Sequence, residues 1–179
     1  MRPYASNYKR RNSLRLARWN YTNSAYYFVT LYIDNTDIIP CVIRDGTVQL
    51  TPAGYIMKRC WRDLARHYHN CRLDAFIIMP THVHGIIQLR SADDRDQAHE
   101  LQVRAGLKPA PTSSRKIHSL SEIIRGFKTF SARRINTNFN QTGTKIWQRN
   151  YYDHIIRNNT SLDRIRYYIA ANPANWKRR

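Results

Sequence analysis

The sequence has few acidic residues, few cysteines and no long apolar run. Only 12 Asp and Glu residues stand against 30 Lys and Arg residues among 179, so the formal net charge is +18. This basic excess indicates a polyanionic partner such as nucleic acid, because each Lys or Arg that reaches a phosphate releases condensed counterions. A ribosome-like structural protein and a membrane-surface binder are the alternatives that the charge leaves open.

The cysteines and the hydropathy exclude other classes. Cys41, Cys60 and Cys71 are odd in number and show no Cys-x-x-Cys spacing, which argues against a disulfide framework and against a zinc site. They are typical of reduced intracellular thiols. No run of roughly 18 or more apolar residues exists, and no signal-peptide pattern opens the chain, so we expect no membrane partner. The expected location is the cytoplasm, in association with the nucleoid.

Length and composition indicate one folded domain preceded by a basic arm. Hydrophobic residues make up 42% of the chain, which is enough for a sizeable core. We expect the arm over residues 1–22, the domain over residues 23–176 and an inserted polar loop over residues 91–118. The arm lacks acidic residues and interleaves cations with aromatic rings, which suits phosphates and unpaired bases; a solvated tail is the alternative. Its candidate DNA-binding residues are Arg10, Arg11, Arg15 and Arg18.

The pattern of apolar residues predicts an α+β domain. Runs of β-branched and aromatic residues predict strands over residues 24–33, 72–79, 83–89 and 146–156, and a hairpin over residues 41–50 that turns at Asp45-Gly46. Apolar spacing and capping residues predict helices that begin at Thr51-Pro52, at a Ser119–Glu122 capping box and after Asn159-Thr160, and that end near His69, Ile135 and Ala171. Without the hairpin, the order is βαββαβ plus one helix, the order of a ferredoxin-like antiparallel sheet.

Two histidines lie one residue apart on a predicted strand. His82 and His84 flank Val83, and both imidazoles point to the same side because strand residues alternate faces. Two imidazoles on a rigid strand form a chelating donor set for a divalent metal. The pair alone does not identify a metal site, because most His-x-His pairs bind no metal.

The last predicted helix carries a tyrosine at the edge of its buried side. That side is formed by Leu162, Ile165 and Ile169. At roughly 100° per residue, Tyr168 and Asn172 lie together at its edge, one turn apart, whereas Tyr167 points towards solvent. Such a tyrosine is ordinarily a boundary residue with its hydroxyl in water. Beside an asparagine, it can also offer a nucleophilic oxygen next to a neutral metal ligand.

Four motifs in order resemble the HUH superfamily of single-strand endonucleases. They are Met79-Pro80-Thr81-His82-Val83-His84, Ile146-Trp147-Gln148, Tyr152-Asp153-His154-Ile155-Ile156-Arg157 and Tyr168-Ile169-Ala170-Ala171-Asn172-Pro173. More narrowly, they look like the REP-associated tyrosine transposases, which are single-tyrosine transposases of the insertion-sequence type. Four motifs in this order are far more specific than any one of them. Thr81 departs from the pattern, since relatives often carry Asn there.

The resemblance implies an enzyme that nicks and rejoins DNA on an HUH endonuclease fold. It implies that His82 and His84 bind Mg²⁺ or Mn²⁺ and that Asn172 is the third ligand. Tyr168 matches the catalytic tyrosine, which forms a 5′-phosphotyrosine with single-stranded DNA beside a REP-like hairpin. His154 and Gln148 match family positions for which support of a metal ligand and contact with DNA are both open.

The second predicted helix adds a basic face to the candidate DNA-binding surface. Its cations are Arg125, Lys128, Arg133 and Arg134. A solvated face is the ordinary explanation of such a run, whereas here it adds to the positive charge. The competing class is a non-catalytic protein that binds DNA hairpins, and a metal-dependent hydrolase without a covalent intermediate is a third. We expect a monomer or a homodimer.

Overall fold

The computed structural model describes residues 19–90 and 116–176. Its elements in chain order are β1 (Ala25–Tyr32), β2 (Cys41–Arg44), β3 (Thr47–Leu50), α1 (Pro52–His67), β4 (Cys71–Ile78), β5 (His82–Leu89), α2 (Leu120–Asn138), β6 (Tyr152–Ile156) and α3 (Asn159–Ala171). Most of the predicted arm and of the inserted loop lie outside the described residues. None of the described helices is long and apolar enough to cross a membrane.

A four-stranded sheet in the order β4-β5-β1-β6 organises the domain. Its three pairings, β4 with β5, β5 with β1 and β1 with β6, are all antiparallel. This is the ferredoxin-like arrangement, so the predicted α+β class is confirmed. Strands β2 and β3 form the separate predicted hairpin. Its turn residues Asp45 and Gly46 have φ of 48° and 69°, as a tight hairpin turn of the I′ type requires.

The two faces of the sheet are covered by different layers. Val83, Ile87 and Leu89 point into the larger core, which contains the buried residues of α1 and α2. Of the described helices, α3 covers the opposite face, where Ile86 packs with Leu162 in a smaller cluster. His82 and His84 share the α3 face with Ile86, because the three residues are spaced by two along β5. The fold therefore presents both histidines to the last helix.

Three helix ends differ from the prediction. α2 runs to Asn138, three residues beyond the predicted end near Ile135. The other two ends differ for local reasons. α1 ends at His67 because Tyr68 adopts an extended backbone, with φ −118° and ψ 96°. α3 is capped by Asn158, whose side chain accepts a hydrogen bond from the backbone N–H of Ser161. The predicted cap, Asn159-Thr160, instead forms the first turn of the helix. The Thr51 cap of α1 and the capping box of α2 are confirmed.

The last strand is shorter than predicted, because its first half is held by separate contacts and not by a continuous ladder. Residues 146–156 were expected to be extended, but β6 begins only at Tyr152. Before it, Trp147 forms one isolated bridge with Ile33. The indole of Trp147 donates a hydrogen bond of 2.9 Å to the buried hydroxyl of Ser131. This segment is therefore fixed to α2 by the indole of Trp147 and to the end of β1 by single backbone hydrogen bonds, among them the one from Gln148 to Tyr32.

Gly85 is required by a close approach beneath the histidine strand. A Cβ atom at Gly85 would lie 2.4 Å from Cζ2 of Trp61. Trp61 is buried and stacks on Phe76, with ring centroids 4.5 Å apart, and it also meets Phe127 edge-on. The indole cannot shift without disturbing both rings.

Gly85→Ala is therefore expected to lower the free energy of unfolding by about 1–3 kcal/mol, the usual cost of overpacking a core. Urea denaturation followed by circular dichroism measures this difference. Thr160→Ala, at an exposed position of α3, is the control and should change the value by less than about 0.5 kcal/mol. Unchanged stability of Gly85→Ala would contradict the packing described here.

Candidate active site

The two histidines converge through their ring nitrogens. The Nε2 atoms of His82 and His84 lie 3.1 Å apart. Each Nδ1 faces a threonine hydroxyl, with Thr81 Oγ1 at 3.1 Å from His82 and Thr30 Oγ1 at 2.9 Å from His84. When each Nδ1 carries the proton and donates it to its threonine, both Nε2 lone pairs are directed at one point. The predicted placement of both rings on one face is confirmed.

Burial keeps these imidazoles neutral. It lowers the pKa of His82 to about 4. Burial and the neighbouring His82 lower the pKa of His84 to about 3. Neutral imidazole is the form that binds metal, so the donor chemistry fits a divalent ion. Within residues 19–90 and 116–176, no group of three or more His, Cys, Asp or Glu side chains could hold a metal, so a further ligand from these residues would be of another type, such as an amide oxygen.

Tyr168 approaches the histidine pair from α3. Its hydroxyl lies 3.4 Å from Nε2 of His84, and the two ring centroids are 5.3 Å apart. The ring of Phe28 packs against both rings, since its centroid lies 5.2 Å from that of His84 and 6.1 Å from that of Tyr168. Tyr168 is 50% exposed, and Tyr167 is 75% exposed. The structure thus brings Tyr168 to the histidines and leaves its neighbour in solvent, as the helical spacing predicts.

Asn172 lies one turn beyond Tyr168, at the end of α3. Its Nδ2 donates a hydrogen bond of 3.1 Å to the backbone carbonyl of Tyr168. The amide nitrogen is thereby used within the helix, and Oδ1 is the atom that a metal could bind. Its role as third ligand stays a prediction.

Gln148 and His154 occupy different places around the pair. The backbone N–H of Gln148 donates a hydrogen bond of 3.0 Å to the backbone carbonyl of Tyr32. The ring centroid of Tyr32 lies 5.8 Å from that of His82. His154 lies on β6 and is paired with Phe28 on β1, and β1 in turn lies between β6 and β5. Two strand spacings, about 10 Å, therefore separate His154 from the histidine strand. His154 is thus too far to orient a ligand directly, and its contact with DNA stays a prediction.

The basic residues of α2 lie behind the sheet, on the side opposite the histidines. Lys128 donates to the backbone carbonyls of Gln148 and Asn150, at 2.8 and 2.9 Å, and burial lowers its pKa to about 8. Arg134 pairs with Asp63 of α1 at 2.9 Å. Both side chains are thus engaged within the fold, and their predicted contacts with DNA stay predictions.

The remaining predicted DNA contacts are of two kinds. Arg125 and Arg133 are exposed on α2 and stay predictions, although DNA bound there would lie across the sheet from Tyr168. Arg10, Arg11, Arg15 and Arg18 lie outside the described residues. The described structure therefore does not bring the predicted basic surface together with the histidine pair.

A bidentate ion pair joins α3 to the sheet two residues before Tyr168. Nε and Nη2 of Arg166 donate to the two carboxylate oxygens of Asp74, at 2.9 and 2.6 Å. A bulge in β4 between Leu73 and Phe76 interrupts the alternation of faces. This allows Asp74 to reach α3 although the adjacent Ala75 also faces the α3 cluster.

This ion pair matters because α3 has few other attachments. Its fully buried side chains are Leu162 and Ile169. Parallel hydrogen bonds between a guanidinium and a carboxylate fix orientation as well as distance. The pair of Arg166 with Asp74 therefore helps to set where the hydroxyl of Tyr168 lies.

Sequence reasoning missed Thr30, Phe28 and the ion pair of Asp74 with Arg166. The alternation of Tyr26, Phe28, Thr30 and Tyr32 along β1 carries a signal, since these residues share one face. Nothing in the sequence signals the ion pair, because it depends on a bulge and joins residues 92 positions apart.

The fold and the site define a class of protein: a ferredoxin-like α+β domain with a His-x-His pair on a central strand and a tyrosine on the helix that covers the same face of the sheet. A solved structure of a REP-associated tyrosine transposase bound to a REP hairpin has the same fold, with a TM-score of 0.58. It is 19% identical, and the match covers 90% of this chain and 73% of that one. The fold predicted from the sequence is thus confirmed.

Sequence comparison gives the family. The model for the IS200-like transposases matches residues 112–172, which include Tyr168 and Asn172. An uncharacterized protein of Haemophilus influenzae is 33% identical over 174 residues, which cover 97% of this chain and 94% of that protein. The chain belongs to the IS200-like transposase family, and its function is related to DNA transposition.

Asp74→Asn is expected to loosen α3. The hydrogen bond from Arg166 lowers the pKa of the Asp74 carboxyl, so the stabilisation is present above the unfolded pKa, about 3.9, and is lost as the pH falls through the folded value. Urea midpoints should therefore differ between wild type and Asp74→Asn at neutral pH and converge in acid. Hydrogen exchange should show faster exchange of α3 amides in the variant.

Asp63→Asn is the matched control, because it breaks the ion pair with Arg134 on the opposite side of the sheet. It should leave exchange in α3 unchanged. The double change Asp74→Arg with Arg166→Asp should restore part of the protection. Equal exchange of α3 in wild type and Asp74→Asn would refute the role given to this pair.

Proposed function

We propose that this protein cleaves and rejoins single-stranded DNA beside a hairpin, with Tyr168 as nucleophile and a divalent metal as cofactor. One observation carries the proposal: the hydroxyl of Tyr168 lies 3.4 Å from Nε2 of His84, which itself converges with Nε2 of His82. A nucleophilic oxygen beside a neutral chelating pair suits attack on a phosphodiester. The net charge of +18 supports a polyanionic substrate.

The reaction exchanges one phosphate ester for another. The phenolic oxygen of Tyr168 attacks the scissile phosphorus, the bond to the 3′ oxygen breaks, and the products are a 5′-phosphotyrosine and a free 3′-OH. The phenol proton passes to water, and the departing 3′ oxygen takes up a proton. Because the ester bond is conserved, the 3′-OH of a second strand can reverse the step without a nucleotide cofactor.

Mg²⁺ or Mn²⁺ is the proposed metal. His82 and His84 would hold it through Nε2, with Oδ1 of Asn172 as the proposed third ligand. A metal held there would supply electrostatic stabilisation of the phosphate and would offset the charge that builds up in the transition state. The residues of the chain supply orientation: the hydroxyls of Thr30 and Thr81 fix the two imidazole rings, and the ring of Phe28 packs against both His84 and Tyr168.

The proposed substrate is a DNA hairpin of the REP type with an unpaired flank. The related structure described above is that of a protein bound to a REP hairpin, and the same class of DNA is proposed here. His82, His84 and Tyr168 come from one chain, so a monomer already contains both halves of the site. This arrangement favours cleavage within one subunit and does not require a homodimer.

Tyr168→Phe is expected to abolish the covalent complex with DNA. The test incubates the protein with end-labelled hairpin DNA and Mg²⁺, followed by a denaturing gel that separates labelled protein from free DNA. Tyr167→Phe is the matched control, because it is the adjacent residue of the same helix and points into solvent. It should form as much labelled protein as wild type.

Two results would decide against this mechanism. Cleavage that persists in Tyr168→Phe would remove the nucleophile and favour a hydrolase without a covalent intermediate. Tight hairpin binding by wild type with no cleavage would favour the non-catalytic hairpin-binding protein.

Metal affinity tests the histidine pair separately from catalysis. His84→Ala should remove high-affinity Mn²⁺ binding, as measured by electron paramagnetic resonance of free Mn²⁺. Thr30→Val should weaken affinity by about 10- to 100-fold, the usual effect of losing the hydrogen-bond partner of a ligand. His154→Ala, on the same face but two strands away, should bind Mn²⁺ like wild type. Equal affinity of wild type and His84→Ala would contradict the proposed metal site.

A further inference from the structure

The chain continues in a hydrogen-bonded turn beyond α3. The backbone N–H of Asn175 donates a hydrogen bond of 3.2 Å to the carbonyl of Ala171, and that of Trp176 donates one of 3.2 Å to the carbonyl of Pro173. Pro173 is buried. This turn, called here the α3 extension and defined as residues 172–176, therefore has a defined conformation that starts at Asn172.

The α3 extension meets the histidine pair at a second point. The ring centroid of Trp176 lies 6.0 Å from that of His82. The ring of Tyr168 meets His84, with centroids 5.3 Å apart. Asn172 lies four residues after Tyr168 and four residues before Trp176, which is about one helical turn from each. Ring contacts to both histidines therefore flank the residue that is the proposed third ligand.

The turn of the β2–β3 hairpin contacts the α3 extension at another point. A Cβ atom at Gly46 would lie 3.3 Å from Cα and 3.7 Å from Cβ of Ala174, so the two backbones approach closely. The hairpin is itself fixed to the domain, since Cys41 is buried in the larger core and its Sγ donates to the carbonyl of Ile78 on β4. A hairpin that lies outside the four-stranded sheet thus reaches the end of α3.

The end of a helix is the place where such contacts have an effect. Helix ends fray, because their last carbonyls lack partners within the helix, and Asn172 is the C-cap residue of α3. A binding site requires its ligands to be held within about 0.5 Å of the productive position, so fraying here would displace the amide. The contact of Gly46 with Ala174 joins two exposed residues. It adds little apolar burial, so its effect is on position more than on stability.

We infer that Trp176 and the hairpin turn at Gly46 are positioning residues that hold Asn172 beside the histidine pair. Trp176 ties the α3 extension to His82, and the turn at Gly46 supports the extension at Ala174. The inference rests on the proposed function for the metal that Asn172 would bind, but the anchoring itself requires no metal. It assigns the β2–β3 hairpin a part in the site.

Hydrogen exchange in the presence of EDTA tests the anchoring without metal. Trp176→Ala should speed exchange of the amides of Asn172 and Asn175, which are bonded to carbonyls at the end of α3. Trp176→Phe keeps an aromatic ring and should retain most of the protection. Phe139→Ala is the matched control, because it removes an exposed aromatic ring at the end of α2. It should leave exchange in the α3 extension unchanged.

Mn²⁺ affinity tests whether the anchoring acts through Asn172. Trp176→Ala should weaken Mn²⁺ binding, measured by electron paramagnetic resonance of free Mn²⁺, by about tenfold, as for loss of the support of a ligand. In the Asn172→Ala background, Trp176→Ala should cause no further loss, because the ligand that the ring positions is already absent. A ring that only stabilised the fold would weaken binding by the same factor in both backgrounds.

The hairpin contact has its own pair of variants. Gly46→Asn keeps a residue that tolerates the left-handed backbone, but it adds a Cβ atom 3.3 Å from Cα of Ala174. It should displace the α3 extension, speed exchange at Asn175 and weaken Mn²⁺ binding. Gly143→Asn is the matched control, since Gly143 has a φ of 81° and a Cβ there meets no described atom within 4 Å. It should match wild type in exchange of the α3 extension and in Mn²⁺ affinity.

Three results would overturn the inference. They are equal exchange of the α3 extension in wild type and Trp176→Ala, equal loss of Mn²⁺ affinity in both backgrounds, and equal behaviour of Gly46→Asn and Gly143→Asn. A wild type that binds no Mn²⁺ would refute the proposed cofactor, and the exchange measured in EDTA would still decide the anchoring. Covalent complex formation with unchanged exchange and Mn²⁺ affinity in Trp176→Ala would support the proposed function and refute the role of Trp176.

Discussion

The register of β5 is the constraint on which the rest of the structure depends. This strand alternates between two layers, with His82, His84 and Ile86 towards α3 and Val83, Gly85 and Ile87 towards α1 and α2. A slip by one residue would bury the imidazoles in the larger core and expose its apolar side chains. Pairing with β1 fixes the register and places Thr30 opposite His84. The same register thus specifies the core, the direction of both rings and the hydrogen bond that orients one of them.

The helix that carries Tyr168 is attached in a different way from the other two. α1 and α2 each contribute five buried side chains to the larger core, whereas α3 buries few side chains and relies on the ion pair of Arg166 with Asp74 and on the ring of Phe28. A helix held by a broad apolar face would cover its tyrosine. Narrow attachment leaves the Tyr168 ring half exposed and still directs its hydroxyl at His84. A few well-directed contacts therefore leave room for a large substrate and also fix the position of the Tyr168 hydroxyl.

The parts that sequence reasoning predicted correctly depend on local periodicity. The two-residue period of a strand places His82 and His84 on one face, and the helical period of about 3.6 residues per turn directs Tyr168 and Tyr167 to different sides of α3. These periods act within a few residues, so the sequence alone reveals them. The ion pair of Asp74, the partner of His84 and the inward role of Lys128 join residues far apart in the chain. Polar pairs of this kind leave no periodic pattern, and a basic residue has the same appearance in sequence whether it meets DNA or a backbone carbonyl.

The layers also constrain where DNA can be read. Contacts to phosphates position a nucleic acid, whereas contacts to bases specify it. A net charge of +18 supplies attraction over much of the surface, and the exposed cations of α2 lie behind the sheet. Aromatic side chains lie on the histidine face, among them Tyr32 and Trp176 beside His82. If the unpaired strand is read by its bases, the reading therefore takes place on the face that carries Tyr168. Recognition of the flank and choice of the phosphate to be cut would then be fixed by one rigid sheet.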